Sequence, residues 1–291
     1  MPDIRYAQNE NVDRGDLRMQ VIERGTSTPI DDAKISISYS GDPDSTVEEV
    51  NTDASGMSET LTLDTPPLEL SMQPSEVQPY AEYTIQVTAK GYRPINISGI
   101  EVFSGQLSLQ EIRMDAEEAT ESMTDNIVIP AHTLFAEYPP KIAEAEIKPV
   151  TETGEIVLSR VVIPEYVIVH DGAPSDPTAR DYYVRYRDYI KNVASSEIYS
   201  TWPDATIRAN VLAIMSFTLN RVYTEWYRNK GYSFTITSST AYDQKFMYGR
   251  NIYQSISDVV DEMFQNYLSR PNVRQPILTQ YCDGQRVTCS N

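Results

Sequence analysis

The chain has 291 residues, with 42 acidic against 24 basic side chains, a formal charge of −18 and 40% apolar residues. No apolar run reaches the roughly 18 residues that a membrane-spanning helix needs, and no cluster of Lys and Arg suits a nucleic-acid backbone, so a helical membrane span and nucleic-acid binding are set aside. Residues 1–150 carry 27 acids and 10 bases, a balance of −17, and the rest carry 15 and 14, a balance of −1, so most of the charge reads as the solvated surface of the first half.

The length predicts two compact units with a connector, each able to bury its own core. The start, MPDIRYAQNENVDRGD, lacks a basic segment followed by an apolar stretch, so no secretory signal is expected. From there, LRMQVIE (17–23), AKISISYS (33–40), ETLTLD (59–64), YTIQVTA (83–89) and INISGIEVF (95–103) alternate or are β-branched. Turn chemistry separates them: Gly25, Gly41-Asp42-Pro43, Asp53-Ala54-Ser55-Gly56 and Gly91-Tyr92-Arg93-Pro94. Short strands at this spacing, with no helical pattern between them, imply an antiparallel all-β sandwich. The residues Pro29-Ile30-Asp31-Asp32-Ala33, Thr52-Asp53 with Gly56, and Ala89-Lys90-Gly91-Tyr92 resemble a carboxypeptidase-regulatory, transthyretin-like module over residues 14–114. The resemblance implies a spacer or a docking unit for a protein partner.

Residues 115–150 read as a connector. DAEEATESMTD is an acidic polar run, and IPAHTLFAEYPPKI is too proline-punctuated for a long regular element. The second unit, 151–291, is expected to be α+β with a long central helix. IVLSRVVI and YVIVH are its first strand-like pieces. In DYYVRYRDYIKNVASSEI, Tyr182, Tyr186, Tyr189 and Val193 form a stripe at helical spacing. Thr201 then precedes Trp202-Pro203-Asp204, which suits an N-cap with proline in the first turn. Ile207, Val211, Ile214, Met215, Thr218 and Val222 line one side of the following helix, and Asn229-Lys230-Gly231 supplies a stop. A strand is expected at 232–239, a third helix over NIYQSISDVVDEMFQNYL, and a short closing strand in QPILTQYCD.

These elements place Glu197 at the C-terminal end of one helix, just before the start of the next. The partial negative charge of a helix C-terminus disfavours a further anion. Ile198, Tyr199 and Trp202 supply apolar surroundings that disfavour ionisation again. A carboxyl group kept protonated near neutrality can deliver a proton to a leaving alkoxide, although most acids at such positions are simply solvated.

YIKNVASSEIYSTWPDATIRANVLAIMSFTLNR resembles the family of stage II sporulation protein D and related amidase-enhancer domains, in which a Tyr-(Val/Ile)-Lys stretch leads to Ser-Glu, then Trp-Pro and an alanine-rich helix. The matching positions are Tyr189, Ile190, Lys191, Val193, Ser196, Glu197, Trp202, Pro203, Ala205 and Ala209, and TITSSTAYDQ and ISDVVDEM continue the likeness to about residue 285. The resemblance implies a peptidoglycan lytic transglycosylase with Glu197 as general acid and base and no required cofactor. Ser196, Tyr199, Trp202, Lys191 and Arg208 are the expected glycan-binding residues. One acid suffices because the sugar's own C6 hydroxyl closes a 1,6-anhydro ring, unlike the paired carboxylates of hydrolytic glycosidases. The family's helical arginine is replaced here by Met215, with Arg208 and Arg221 as candidate substitutes, and the glycine-rich C-terminal segment of the family does not appear before Asn291.

Cys282 and Cys289 stand seven apart. A hairpin disulfide, free thiols and a zinc site completed by His170 are all open, and the spacing is not that of a tight zinc motif. Tyr182, Tyr183, Tyr186, Tyr189, Tyr223, Trp226 and Tyr227 form either a core seam or a sugar-stacking surface. Two other settings compete with the enzyme: a non-catalytic wall-binding component on the same scaffold, and a part of a phage-tail or injection-type particle assembled in the cytoplasm.

Overall fold

The computed structural model describes residues 12–117, 124–142 and 158–280. In chain order the elements are β1 (Asp13–Glu23), β2 (Lys34–Tyr39), β3 (Asp42–Asn51), β4 (Leu61–Thr65), α1 (Glu69–Met72), β5 (Ala81–Thr88), β6 (Ile95–Val102), β7 (Leu107–Met114), β8 (Asp125–Val128), β9 (Tyr166–His170), β10 (Asp181–Arg185), α2 (Tyr186–Glu197), α3 (Asp204–Tyr223), β11 (Ile236–Thr237), β12 (Ile252–Tyr253) and α4 (Gln254–Met263). They fall into two compact units. The first comprises Met1–Ala131, Tyr199–Trp202 and Tyr248–Ser255, the second His132–Ile198, Pro203–Met247 and Ile256–Asn291.

The first unit is β-rich and holds two sheets, of order β3-β2-β5-β6-β8 and β12-β7-β1-β4, an arrangement that fits a β-sandwich. Period-two patterning gives each sheet an apolar face: Leu17, Met19 and Val21 of β1, Ile35 and Ile37 of β2, and Tyr83, Ile85 and Val87 of β5 are fully buried. The sheets are not purely antiparallel as the short strands suggested. β1 pairs with β7 in parallel, and β6 pairs with β8 in parallel, because the chain leaves and re-enters each sheet instead of folding back at every turn. Strands β3, β7 and β8 carry weaker or more polar patterns than the five expected ones, and pairing with strong neighbours holds them in place. Asp53 closes the turn foreseen at Asp53-Ala54-Ser55-Gly56: its Oδ1 accepts from the Ser55 and Met57 N–H groups at 2.9 and 3.0 Å.

The second unit contains the three-stranded sheet β10-β9-β11, helices α2 and α3, and α4 from Ile256 onward. Helix α2 begins at Tyr186, four residues later than the tyrosine stripe suggested, because Tyr182 and Tyr183 are taken into β10 opposite Val169 and Ile168. Tyrosine serves either period, and the pairing with β9 decides. Thr201 does not cap α3: Pro203 occupies that place with no side-chain cap bond. The helix ends at Tyr223, earlier than Gly231, where Glu225 turns left-handed at φ 48°. The strand expected at 232–239 shrinks to Ile236–Thr237, and Ile252 and Tyr253 leave the expected third helix to join β7. At 276–280 there is an isolated bridge, Ser269 to Pro276, where a strand was expected. Parts of the connector and of IVLSRVVI, and both Cys282 and Cys289, lie outside the described residues. No helix among the described residues is long and apolar enough to cross a membrane.

Candidate functional site

Helix α2 brings Glu197 to its last turn with Tyr189, Ile190, Val193 and Ala194 sealed into the core on the way. The end of that helix is well satisfied. The Ser196 carbonyl accepts from the Thr133 N–H and hydroxyl at 3.2 and 2.8 Å, and the Ile198 N–H reaches the Ala194 carbonyl at 3.0 Å. A second segment, Ala241–Met247, is bolted alongside. Asn192 gives its Nδ2 to the Met247 carbonyl at 2.8 Å and accepts the Met247 N–H at 2.9 Å. Gln244 is gripped by Thr218 at 2.8 Å and by the Ile214 carbonyl at 3.1 Å. Asp243 is held in a buried cluster: Arg221 Nε at 2.6 Å, Tyr227 Oη at 2.6 Å, and the N–H and hydroxyl of Thr237 at 2.8 and 2.7 Å. Lys141 donates its ammonium to the Asp243 carbonyl.

These bonds aim one backbone group. The Lys245 N–H donates to Glu197 Oε1 at 2.7 Å, while Oε2 is buried without a hydrogen-bond partner. A buried ionised oxygen with no donor is costly, whereas a protonated one is far less so. Burial accordingly pushes the Glu197 carboxyl from the ordinary 4.5 up to about 7, against the opposing pull of the Lys141 charge and of the Lys245 N–H and ammonium. Burial also lowers the Lys245 ammonium, against Asp171 and Glu197, and Lys245 lies 5.3 Å over the Tyr138 ring.

The other residues singled out in the sequence are placed as follows. Ser196 is fully buried and its hydroxyl is spent on the Asn192 carbonyl at 2.8 Å. Lys191, six residues and so about 240° round the helix from Glu197, pairs with Asp261 at 2.8 Å. Arg208 pairs with Asp204 and Glu262, both at 2.7 Å. Tyr199 and Trp202 belong to the first unit, where Tyr199 meets Phe103 at 5.3 Å and Trp202 Nε1 donates to the Ser71 carbonyl at 3.0 Å. Met215 is fully buried in α3, and Arg221 is committed to Asp243. His170 is bound by Asp181 at 2.7 Å and stacks on Phe234 at 4.4 Å. Among the described residues no group of three or more His, Cys, Asp or Glu is placed to hold a metal ion. Tyr186, Tyr189, Trp226 and Tyr227 are core residues, whereas Tyr183 is 76% exposed.

Sequence reasoning missed Lys141, Asp243, Gln244 and Lys245 as the surroundings of Glu197. The last three follow directly on the TITSSTAY stretch, so a signal was present there. Lys141 sits in the proline-rich connector, where nothing in the local pattern distinguishes it.

No protein-family model matches the chain, and no curated protein matches it. Among solved structures it is similar over part of its length to the 5-hydroxyisourate hydrolase of Klebsiella pneumoniae, with 17% identity, 35% of this chain and 92% of that one covered and a TM-score of 0.24. It is similar to the minor pilin of Streptococcus agalactiae at 11% identity, covering 38% and 47%, with a TM-score of 0.26. A third is the Bacillus anthracis TIE protein, at 15% identity, covering 36% of this chain and only 17% of that one, with a TM-score of 0.25. Likenesses this slight carry no argument, and the β-rich fold stands on its own sheet order and burial.

Proposed function

We propose that the second unit cleaves peptidoglycan glycan strands as a lytic transglycosylase, with Glu197 as its general acid and base. The observation that carries this reading is the Glu197 carboxyl itself. One oxygen is held by a backbone N–H, the other is buried without a partner, and its proton is retained up to about pH 7. In the first half of the reaction the protonated Glu197 carboxyl gives its proton to the glycosidic oxygen as the C1–O bond breaks and the alcohol leaves. The carboxylate then takes the proton of the same sugar's C6 hydroxyl, whose oxygen bonds to C1 and closes the 1,6-anhydro ring. Proton and electron pair balance with no water consumed and no cofactor required. The first unit serves as spacer or docking module for a protein partner. In this reading the chain acts at the wall, reaching it by a non-classical route or as part of a particle assembled in the cytoplasm.

Binding to the wall without cutting it is the second reading, and it is favoured by Met215 standing buried where the resembling family carries arginine. Both readings meet one experiment: incubation with denuded glycan strands and mass spectrometry of the products. We expect 1,6-anhydro ends from the native chain, falling by at least about 100-fold in Glu197→Gln, the lower range for loss of an acid–base group. Absence of such ends from the native chain, or equal yield from the variant, removes the enzymatic reading.

A further inference from the structure

The second unit also contains a cavity of about 180 Å³ whose lining does not include Glu197. Tyr166, Phe234, Trp226 and Tyr227 line it with their rings, and its charged residues are Glu225, Arg228 and Arg221, the last committed to Asp243. A cavity of about 150 Å³ is enough to admit one benzene molecule, so this one has room for a single six-membered ring. Its chemistry selects which ring. An apolar cavity would suit an arene, but here a carboxylate and a guanidinium share the wall with the aromatic faces.

Those groups are available. The Glu225–Arg228 contact is loose at 3.6 Å, and the Arg228 side chain is 58% exposed. Tyr166 is 45% exposed at the start of β9, while Phe234 is buried against Tyr227 and Tyr232 at 4.8 and 5.0 Å and makes a rigid floor. Lys230 covers the Trp226 ring at 3.5 Å, so Tyr166 is the wall that can accept a ligand face. Glu225 holds a left-handed backbone, φ 48°, a strained conformation for a residue with a side chain. It is this turn at the end of α3 that sets Glu225 and Arg228 on one wall.

We propose that this cavity is a saccharide-binding site that takes one pyranose residue, its C–H face against Tyr166 and its hydroxyls shared between Glu225 and Arg228. An amphipathic aromatic ring and planar, bidentate charged groups are what a pyranose presents partners for. The site does not rest on the role of Glu197 and survives if that role fails.

The test is a titration of the full chain, followed by amide chemical shifts, with N-acetylglucosamine tetramer, cellotetraose and, as the arene, indole. The expected result is saturable shifts at 225–228 and 234–235 with at least one tetrasaccharide and none with indole. Tyr166→Ala and Glu225→Gln should each weaken that binding about tenfold, the effect of losing one good stacking or charged contact. Glu197→Gln should bind as the native chain does, which separates this site from the proposed reaction. Retained amide dispersion in Tyr166→Ala, an exposed position, shows that the variant is folded. The proposal is overturned if neither tetrasaccharide shifts those residues, if both pocket variants bind as tightly as the native chain, or if indole alone binds.

Discussion

At the scale of single residues, Glu197 combines an exacting geometry with a thermodynamic signature. In the folded chain its carboxyl titrates near 7 and in the unfolded chain near the ordinary 4.5, so between those values the folded form holds a proton that the unfolded form has released. Its contribution to stability is complete below about pH 4.5 and is lost as pH rises through 7. The Glu197→Gln variant has no such titration. It should therefore gain on the native chain between pH 4 and pH 8, by at most about 3 kcal/mol of linkage for a shift of this size. Thermal unfolding of both proteins at pH 4, 6 and 8 reads this out, and a difference in melting temperature that does not change with pH contradicts the raised carboxyl. Any activity that depends on the protonated acid should likewise fall as pH rises past about 7. The sequence made Glu197 a candidate through its helix-end position and its Ser-Glu and Trp-Pro neighbours. What raises its carboxyl is burial, and burial depends on Lys245 and its segment, almost fifty residues away in the chain.

At the scale of elements, local pattern and pairing divide the work. In β6 the Ile95, Ile97 and Ile100 core positions change phase across Gly99, because Gly99 at φ 81° inserts a bulge where the register with β5 slips between Tyr83 and Ile85. A Cβ at Gly99 would lie 2.3 Å from the Ile129 carbonyl oxygen, which is backbone and cannot step aside. Gly99→Ala should therefore destabilise the chain by about 2 kcal/mol or more, strain of φ and clash together. Urea unfolding measures it, and a change under about 0.5 kcal/mol, the scale of an ordinary surface substitution, refutes the bulge. Strands with clean alternation, β1, β2 and β5, were legible from sequence. Strands held by their neighbours, β3, β8 and β10, were not, because edge and mixed-polarity strands have little pattern of their own.

At the scale of the whole molecule, the two units are woven through one chain. The chain passes from one to the other at 131/132, 198/199, 202/203, 247/248 and 255/256, five crossings. Two of those excursions supply parts of the first unit's interior: Tyr199 beside Phe103, and Arg250 with Asn251 on Glu101, where Arg250 and Glu101 form a buried ion pair. Neither unit is a single contiguous stretch of chain. Equilibrium unfolding in urea should accordingly proceed in one transition, with tryptophan fluorescence and far-ultraviolet circular dichroism coincident. Two separated midpoints would show that the units are energetically independent.

By itself, the amino-acid sequence determined that the chain is β-rich in its first hundred residues and helical around 186–223, and it marked Glu197, because alternation, turn residues and helix-end chemistry are local properties. Tertiary structure alone decided the parallel pairings, the capture of Tyr182 and Tyr183 by β10, the return of Tyr199–Trp202 and Tyr248–Ser255 to the first unit, and the partners of the Glu197 carboxyl. Each of these rests on contacts between residues distant in sequence, whose free energy outweighs local preference and leaves no trace in a short window of residues.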